Sequence, residues 1–228
     1  MQRLWRDEDV LQFKLKNQAA YDAAPNFGEK ADIARYEILE RVGGVYADVD
    51  VECLRPLDEL LSRFDFVVGV SNTSCVEINN AVIASAPRHL IVQRLIATIG
   101  TDHSRHVERA SALAMVGQWG GVDVAAALGT TARASPMATI ERTGPGLLTR
   151  TFMDAIGWTS TADASRRPGF LSASEREMVV ALPAEYFYPL PNAARDAAVR
   201  SDALPPQSMA VHYWLRSWVD TCSVGAAE

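Results

Sequence analysis

The chain is short of several things that would settle its class at once. It holds only 3 cysteines in 228 residues, Cys53, Cys75 and Cys222, odd in number and unclustered. That excludes a disulfide framework or a zinc knuckle and points to a reducing compartment. Positive charge is scarce: 22 Lys and Arg against 28 Asp and Glu give a net charge of −6, so a nucleic-acid backbone is not an expected partner. Long apolar runs are missing, and the longest, such as Phe66 to Val70, are strand-sized rather than membrane-spanning. The opening MQRLWRDEDV lacks the apolar core of a signal peptide. The expected location is cytoplasmic, and peripheral attachment at the inner membrane surface is compatible with it. What is present is an ordinary soluble balance, 48% hydrophobic and 22% charged, suited to one domain over residues 1–228.

The most informative stretch is ADIARYEILERVGGVYADVD, Ala31 to Asp50. Ala34, Ile38 and Val42, joined by Leu39, recur at helical spacing, which predicts an amphipathic helix over 31–42. Gly43 suits the left-handed position that ends a helix. Val45, Ala47, Val49 and Val51 then alternate with Tyr46, Asp48, Asp50 and Glu52, which predicts one strand with both aspartates on one face. Carboxylates two residues apart on a strand are about 7 Å apart at the backbone. They can close on one ion, or one can bind a metal and the other its ligand. All-oxygen ligands favour Mg²⁺ or Mn²⁺. Asp-x-Asp triplets also arise as solvated loop charges, but these two follow apolar strand residues, where an unpaired charge pair is costly.

Elsewhere strands and helices alternate. Strands are expected at 64–70, 78–84, 178–182 and 209–213. A helix is expected over 87–99, capped by Ser85 and stopped by Gly100, and a second over 104–116. Gly120-Gly121 reads as a turn. Gly144-Pro145-Gly146 opens a helix that ends at Gly157, with Pro in the permitted first turn. Residues 160–169 read as a surface loop and the Pro-rich 183–191 as irregular extended chain. The alternation implies an α/β fold with a mixed, mostly parallel sheet, whose ligands bind beyond the carboxyl ends of the strands.

At this point the chain resembles a known family, the glycosyltransferases with a DXD sugar-binding region, which include fungal Golgi mannosyltransferases and, more distantly, the large glucosylating toxins. The resemblance rests on Asp32, Arg35, Tyr36, Gly43, Gly44, Tyr46, Asp48 and Asp50 in the family's order. It extends to Asn79-Asn80, Thr143-Gly144-Pro145, Phe187-Tyr188-Pro189, His212-Tyr213-Trp214 and Ser217-Trp218. It implies a GT-A-like, Rossmann-like mixed sheet flanked by helices. It also implies a metal-dependent, retaining transfer from a UDP- or GDP-sugar to a glycan, lipid or protein acceptor. By resemblance, Asp48 and Asp50 bind the metal (Mn²⁺ or Mg²⁺) and the nucleotide-sugar, and Asp32 and Arg35 grip the donor sugar and phosphate. Tyr46 lies near the nucleotide, Asn79 or Asn80 near the sugar, and His212 is similar to a third metal ligand. Ser217 and Trp218 look like a closing loop on the diphosphate. The chain opens at Leu4-Trp5-Arg6-Asp7, which resembles a stretch that follows the family's first strand, so that strand is expected to be missing.

Bland readings exist for each residue. Asp32 and Arg35, three apart, could be a surface ion pair. His212 could be a core histidine, and Trp218 a packing aromatic. His103 and His106 share a helix face without the partners a zinc site needs. Two other functions compete. A haloacid-dehalogenase-type phosphatase also places Asp-x-Asp after a strand, but it needs a later lysine, and Lys14, Lys16 and Lys30 all lie upstream. The other is a non-catalytic sugar-nucleotide-binding domain.

Overall fold

A computed structural model describes residues 2–73, 76–120, 135–157, 171–174, 177–192 and 204–215. Its first half is organised by one buried helix, α3 (Phe27–Val42), preceded by α1 (Asp7–Phe13) and α2 (Gln18–Asp22). Helix α3 begins four residues earlier than periodicity suggests, because Asn26 caps it, its Oδ1 accepting from Glu29 N at 2.9 Å. Nor is it amphipathic in the expected sense. Glu29, Asp32, Arg35, Glu37 and Glu40 are all buried with Ile33, Tyr36 and Leu39. Each acid on the helix has a partner: Glu37 accepts from the backbone N–H groups of Lys16 and Asn17, and Glu40 pairs with Lys16 at 3.0 Å. Buried polar groups are tolerated because they are paired.

Gly43 ends α3 at φ 64° and ψ −161°, a region essentially reserved for glycine, rather than in the left-handed helical well. A Cβ there would also meet Pro87 Cδ at 2.7 Å and Pro87 N at 2.8 Å. Gly43→Ala is therefore expected to destabilise the chain by about 2 kcal/mol or more, read as a shift in urea midpoint at unchanged slope.

The sheet holds β1 (Gly44–Ala47), β3 (Phe66–Val70), β4 (Ile78–Ser85), β5 (Leu171–Ser174) and β6 (Glu177–Leu182), in the order β1-β4-β3-β6-β5. Only β3–β6 is parallel, and the other three pairings are antiparallel. The α/β class with a mixed sheet holds, but not the parallel bias: β3 and β4 are joined by a short connection, which permits only antiparallel pairing. On one face, Phe66, Val68, Ile83 and Val179 pack against α3, α5 (Leu90–Gly120) and α7 (Pro145–Ala155). On the other, Val67, Ala84, Val180 and Leu182 meet Phe187, Tyr188, Ala210 and Trp214.

Three other expectations change. The stretch 45–52 is not one strand: β1 stops at Ala47, and β2 (Val51–Cys53) leaves for a separate two-stranded sheet with β7 (Ala210–His212). Asp48 and Asp50 therefore lie in a turn closed by Val51 N donating to Asp48 O at 3.1 Å. The expected helices at 87–99 and 104–116 are one, α5, running through Gly100, and Ser85 belongs to β4 instead of capping it. Leu95, Ile96 and Ile99 are buried just before Gly100, and that packing outweighs a glycine's cost of about 1 kcal/mol. The Pro-rich segment contains a short helix, α8 (Ala184–Phe187). The expected Gly120–Gly121 turn and the 160–169 loop lie wholly or partly outside the described residues. Two short helices complete the order, α4 (Asp58–Leu61) and α6 (Pro136–Arg142). Among the described residues no helix is long and apolar enough to cross a membrane.

Candidate active site

At the turn after β1 the chain meets β7, which returns from late in the sequence. Antiparallel pairing sets His212 of β7 across from Val51, one residue past Asp50. His212 Nε2 lies 3.3 Å from Asp50 Oδ2, and Asp50 Oδ2 also accepts from Leu215 N at 2.9 Å. Asp50 O accepts from Tyr213 N at 3.0 Å. Asp48, Asp50 and His212 each offer a ligand atom, all within 4.8 Å of one another. The His212 ring rests on Trp214 with centroids 4.4 Å apart, and its buried Nδ1 has no hydrogen-bond partner among the described residues. Trp214 is held at φ 57°, a strained position for a large side chain, while its Nε1 donates to Leu190 O at 3.0 Å.

These donors fit a divalent ion. An imidazole nitrogen, His212 Nε2, aimed at the Asp50 carboxylate, with a second carboxylate within a few ångströms, forms a donor set that an ion would satisfy. Known contacts engage Oδ1 of Asp48 and Oδ2 of Asp50, so each carboxylate keeps a second oxygen for a ligand. Two carboxylates suit Mg²⁺ or Mn²⁺, and the single imidazole leans away from Mg²⁺. Burial pushes the Asp50 carboxyl up, but the hydrogen bond and charge of His212 and the Leu215 N–H outweigh it and hold it below the ordinary value.

Behind this cluster stands a second, buried one. Arg35 Nη2 lies 3.0 Å from Asp32 Oδ1, while its Nη1 lies 3.3 Å from Asp48 Oδ1 and donates to Asn80 O at 2.6 Å. Its guanidinium sits 4.4 Å from the centre of the Tyr46 ring, and the Tyr46 hydroxyl donates to Asp48 Oδ1 at 2.7 Å. Asp32 Oδ1 accepts from Asn80 Nδ2, and Asp32 Oδ2 from Thr143 Oγ1, both at 2.8 Å. The Asp32–Arg35 pair is thus a buried link between α3 and the Asp48 turn, not a surface pair: both residues are about 5% exposed or less. Despite burial, which pulls it down, the Arg35 pKa is raised by Asp48, Tyr46 and Asp32, so the guanidinium stays charged.

Burial pushes the Asp32 carboxyl up to about 6, against the lowering effects of Arg35, Thr143 and Asn80. The sign of the linkage follows. The folded chain holds this proton to higher pH than the unfolded chain, so its stabilising contribution is complete below pH 4 and lost as pH rises through about 6. Asp32→Asn abolishes that loss. Its stability relative to wild type is expected to rise between pH 4 and 7 by up to about 3 kcal/mol, from two pKa units, and urea unfolding at both pH values measures it. A flat difference would show that Asp32 ionises normally.

The two asparagines point to opposite faces of β4. Asn80 joins the Asp32 cluster, whereas Asn79 Nδ2 donates to Ser71 Oγ at 2.9 Å and its Oδ1 accepts from Ala81 N at 2.8 Å. Ser217 and Trp218 lie outside the described residues. Thr143 and Tyr36 are the members of the cluster given no role from sequence: the Tyr36 hydroxyl donates to Thr143 O at 2.8 Å. Their signal was presence in the family-like blocks, without spacing that showed a contact 107 residues apart. The lysines a phosphatase would need are elsewhere, Lys16 against Glu40 and Lys30 over the Tyr21 ring at 5.3 Å.

Residues 4–67 match the family model described as glycosyltransferase sugar-binding region containing DXD motif. Inositol phosphoceramide mannosyltransferase 1 of Schizosaccharomyces pombe is 32% identical over 107 residues, 45% of this chain and 33% of that protein. Mannosyl phosphorylinositol ceramide synthase SUR1 of Saccharomyces cerevisiae is 40% identical over 91 residues, 38% of this chain and 23% of that protein. This chain thus spans a third or less of the length of these two relatives. Among solved structures, the PaToxG glycosyltransferase aligns at a TM-score of 0.39 and 16% identity, covering 67% of this chain and 45% of that one. Residues 4–67 are thus similar to the glycosyltransferase sugar-binding region containing a DXD motif, and this stretch includes Asp48-Val49-Asp50.

Proposed function

We propose that the chain transfers a hexose from a UDP- or GDP-sugar to a glycan, lipid or protein acceptor, with a divalent ion and with retention of configuration. The observation that carries this reading is the convergence of Asp48, Asp50 and His212 within 4.8 Å at the DXD turn. The relatives' names make a mannosyl donor and an inositol phosphoceramide acceptor the first to test.

Breaking the sugar–phosphate bond leaves a nucleoside diphosphate with developing negative charge. A divalent ion, when bound, neutralises that charge. Asp48, Asp50 and His212 would hold it. Tyr46 and Arg35 fix Asp48 through Oδ1, so the carboxylate is oriented before the donor arrives, which is the economical way to stabilise a transition state. Asp32, Arg35 and Asn80, each 5% exposed or less, form the buried layer that supports the donor subsite from behind the Asp48 turn, and Asn79 lies on the opposite face of β4. Ser217 and Trp218 are proposed to close over the diphosphate. The residues are compatible with a front-face route, in which the bond to the acceptor oxygen forms as the bond to phosphate breaks and the acceptor proton passes to the leaving phosphate oxygen.

The test is nucleotide release from a panel of UDP- and GDP-sugars with Mn²⁺ or with EDTA. Release from one donor that EDTA abolishes is expected. Release indifferent to EDTA, or none from any donor, contradicts the proposal.

A further inference from the structure

Helix α6 is fastened to α3 by a line of buried polar contacts. Asn26 Nδ2 donates to Thr139 Oγ1 at 2.9 Å, Glu29 pairs with Arg142, Asp32 accepts from Thr143, and Tyr36 donates to Thr143 O. Asn26, Glu29, Asp32 and Tyr36 are spaced three, three and four apart, one stripe of one helix. The stripe ends where α6 turns into α7, and there the fit is tight. A Cβ on Gly144 would lie 3.0 Å from Ile140 Cα and 3.3 Å from Asp32 Oδ2. Thr143 is 3% exposed, so no donor can touch it. Its hydroxyl hydrogen has two acceptors in reach, Asp32 Oδ2 at 2.8 Å and Thr139 O at 3.3 Å, and the shorter goes to the carboxylate.

Resting on the glycosyl-transfer reading above, we propose that Thr143 is a positioning residue. Its hydroxyl fixes the Asp32 carboxylate, and through it Arg35 against Asp48, so the Thr143–Gly144 turn sets the orientation of Asp48 from behind the donor subsite. Asp32 has two oxygens and three polar neighbours. With Asn80 and Arg35 both on Oδ1, Thr143 is the partner that holds Oδ2. Without it the carboxylate is free to rotate and Arg35 to follow.

The test is steady-state kinetics of Thr143→Val, which keeps the shape and removes the hydroxyl, beside Thr143→Ser, which restores it. At saturating Mn²⁺, Thr143→Val is expected to raise the donor KM about tenfold, the scale of one hydrogen bond to a charged group, with Thr143→Ser near wild type. A merely structural threonine would lower the active fraction, reducing apparent kcat at unchanged KM, and that result overturns the proposal, as does a Ser variant that fails to rescue. Should Thr143→Val not fold, Gly144→Ala decides instead: its Cβ presses on Asp32 Oδ2, so donor KM must rise, and an unchanged KM overturns the role. A wild-type chain that turns over no donor overturns the glycosyl-transfer reading itself, and the positioning role with it. An active wild type with an unshifted Val variant removes the positioning role alone.

Discussion

Asp50→Asn is expected to lower Mn²⁺-dependent kcat/KM for the donor at least about a hundredfold and to move half-activation to higher Mn²⁺. The substitution keeps an oxygen for the Leu215 N–H and removes only the charge, so the turn should survive. What it loses is one of the two anionic ligands, and with it the attraction for the ion and the partner of His212. The Asp50 carboxyl lies below the ordinary value in the folded chain, so at any pH above the usual carboxylate range the wild type presents a full charge there. Unfolding midpoints measured alongside separate a lost ligand from a lost fold. Activity and Mn²⁺ dependence equal to wild type would mean that Asp50 holds no ion.

Arg35→Met should have the largest effect on stability, about 3–5 kcal/mol, the cost of leaving a buried charge without its partner. The guanidinium serves Asp32, Asp48 and the Asn80 carbonyl together, and none of these has another cation within reach among the described residues. The loss should depend on pH in a defined direction. Arg35 is a lowering influence on the Asp32 pKa, so its removal pushes that carboxyl further up. At pH 4 Asp32 is protonated and its burial costs little; at pH 7 folding must either bury the charge or take up a proton. Urea unfolding is therefore expected to show a smaller deficit at pH 4 than at pH 7. An equal deficit at both would place the effect in lost packing rather than in the stranded charge.

Much of the local structure was legible in the sequence because it follows from one element at a time. The α3 helix ending at Gly43, the strands expected at 64–70 and 78–84 and found at 66–70 and 78–85, and the Pro145 helix start all come from periodicity and stop signals. The failures are those of tertiary choice. Val45 to Glu52 alternates like one strand, but β2 pairs with β7 from the far end of the chain, and no local pattern encodes a partner 161 residues away. Gly100 reads as a stop until the buried face of α5 is known. The polar residues of α3 read as a solvent face, and only the arrival of Lys16, Asn80 and Thr143 makes their burial possible. For the site, the Asp48 and Asp50 pair follows from spacing and His212 from a resemblance, and the structure brings the three together. Thr143 went without a role because its meaning is a contact, not a motif.

The central claim is that the DXD turn and His212 together form one divalent-ion clamp. Titration of Mn²⁺ into the protein, followed by loss of the free-ion electron paramagnetic resonance signal, tests it most directly. One ion bound per wild-type chain, with affinity reduced at least about tenfold in each of Asp48→Asn, Asp50→Asn and His212→Ala, is the expected result. Wild-type binding that survives all three substitutions, or no binding at millimolar Mn²⁺ with a nucleoside diphosphate present, would contradict it.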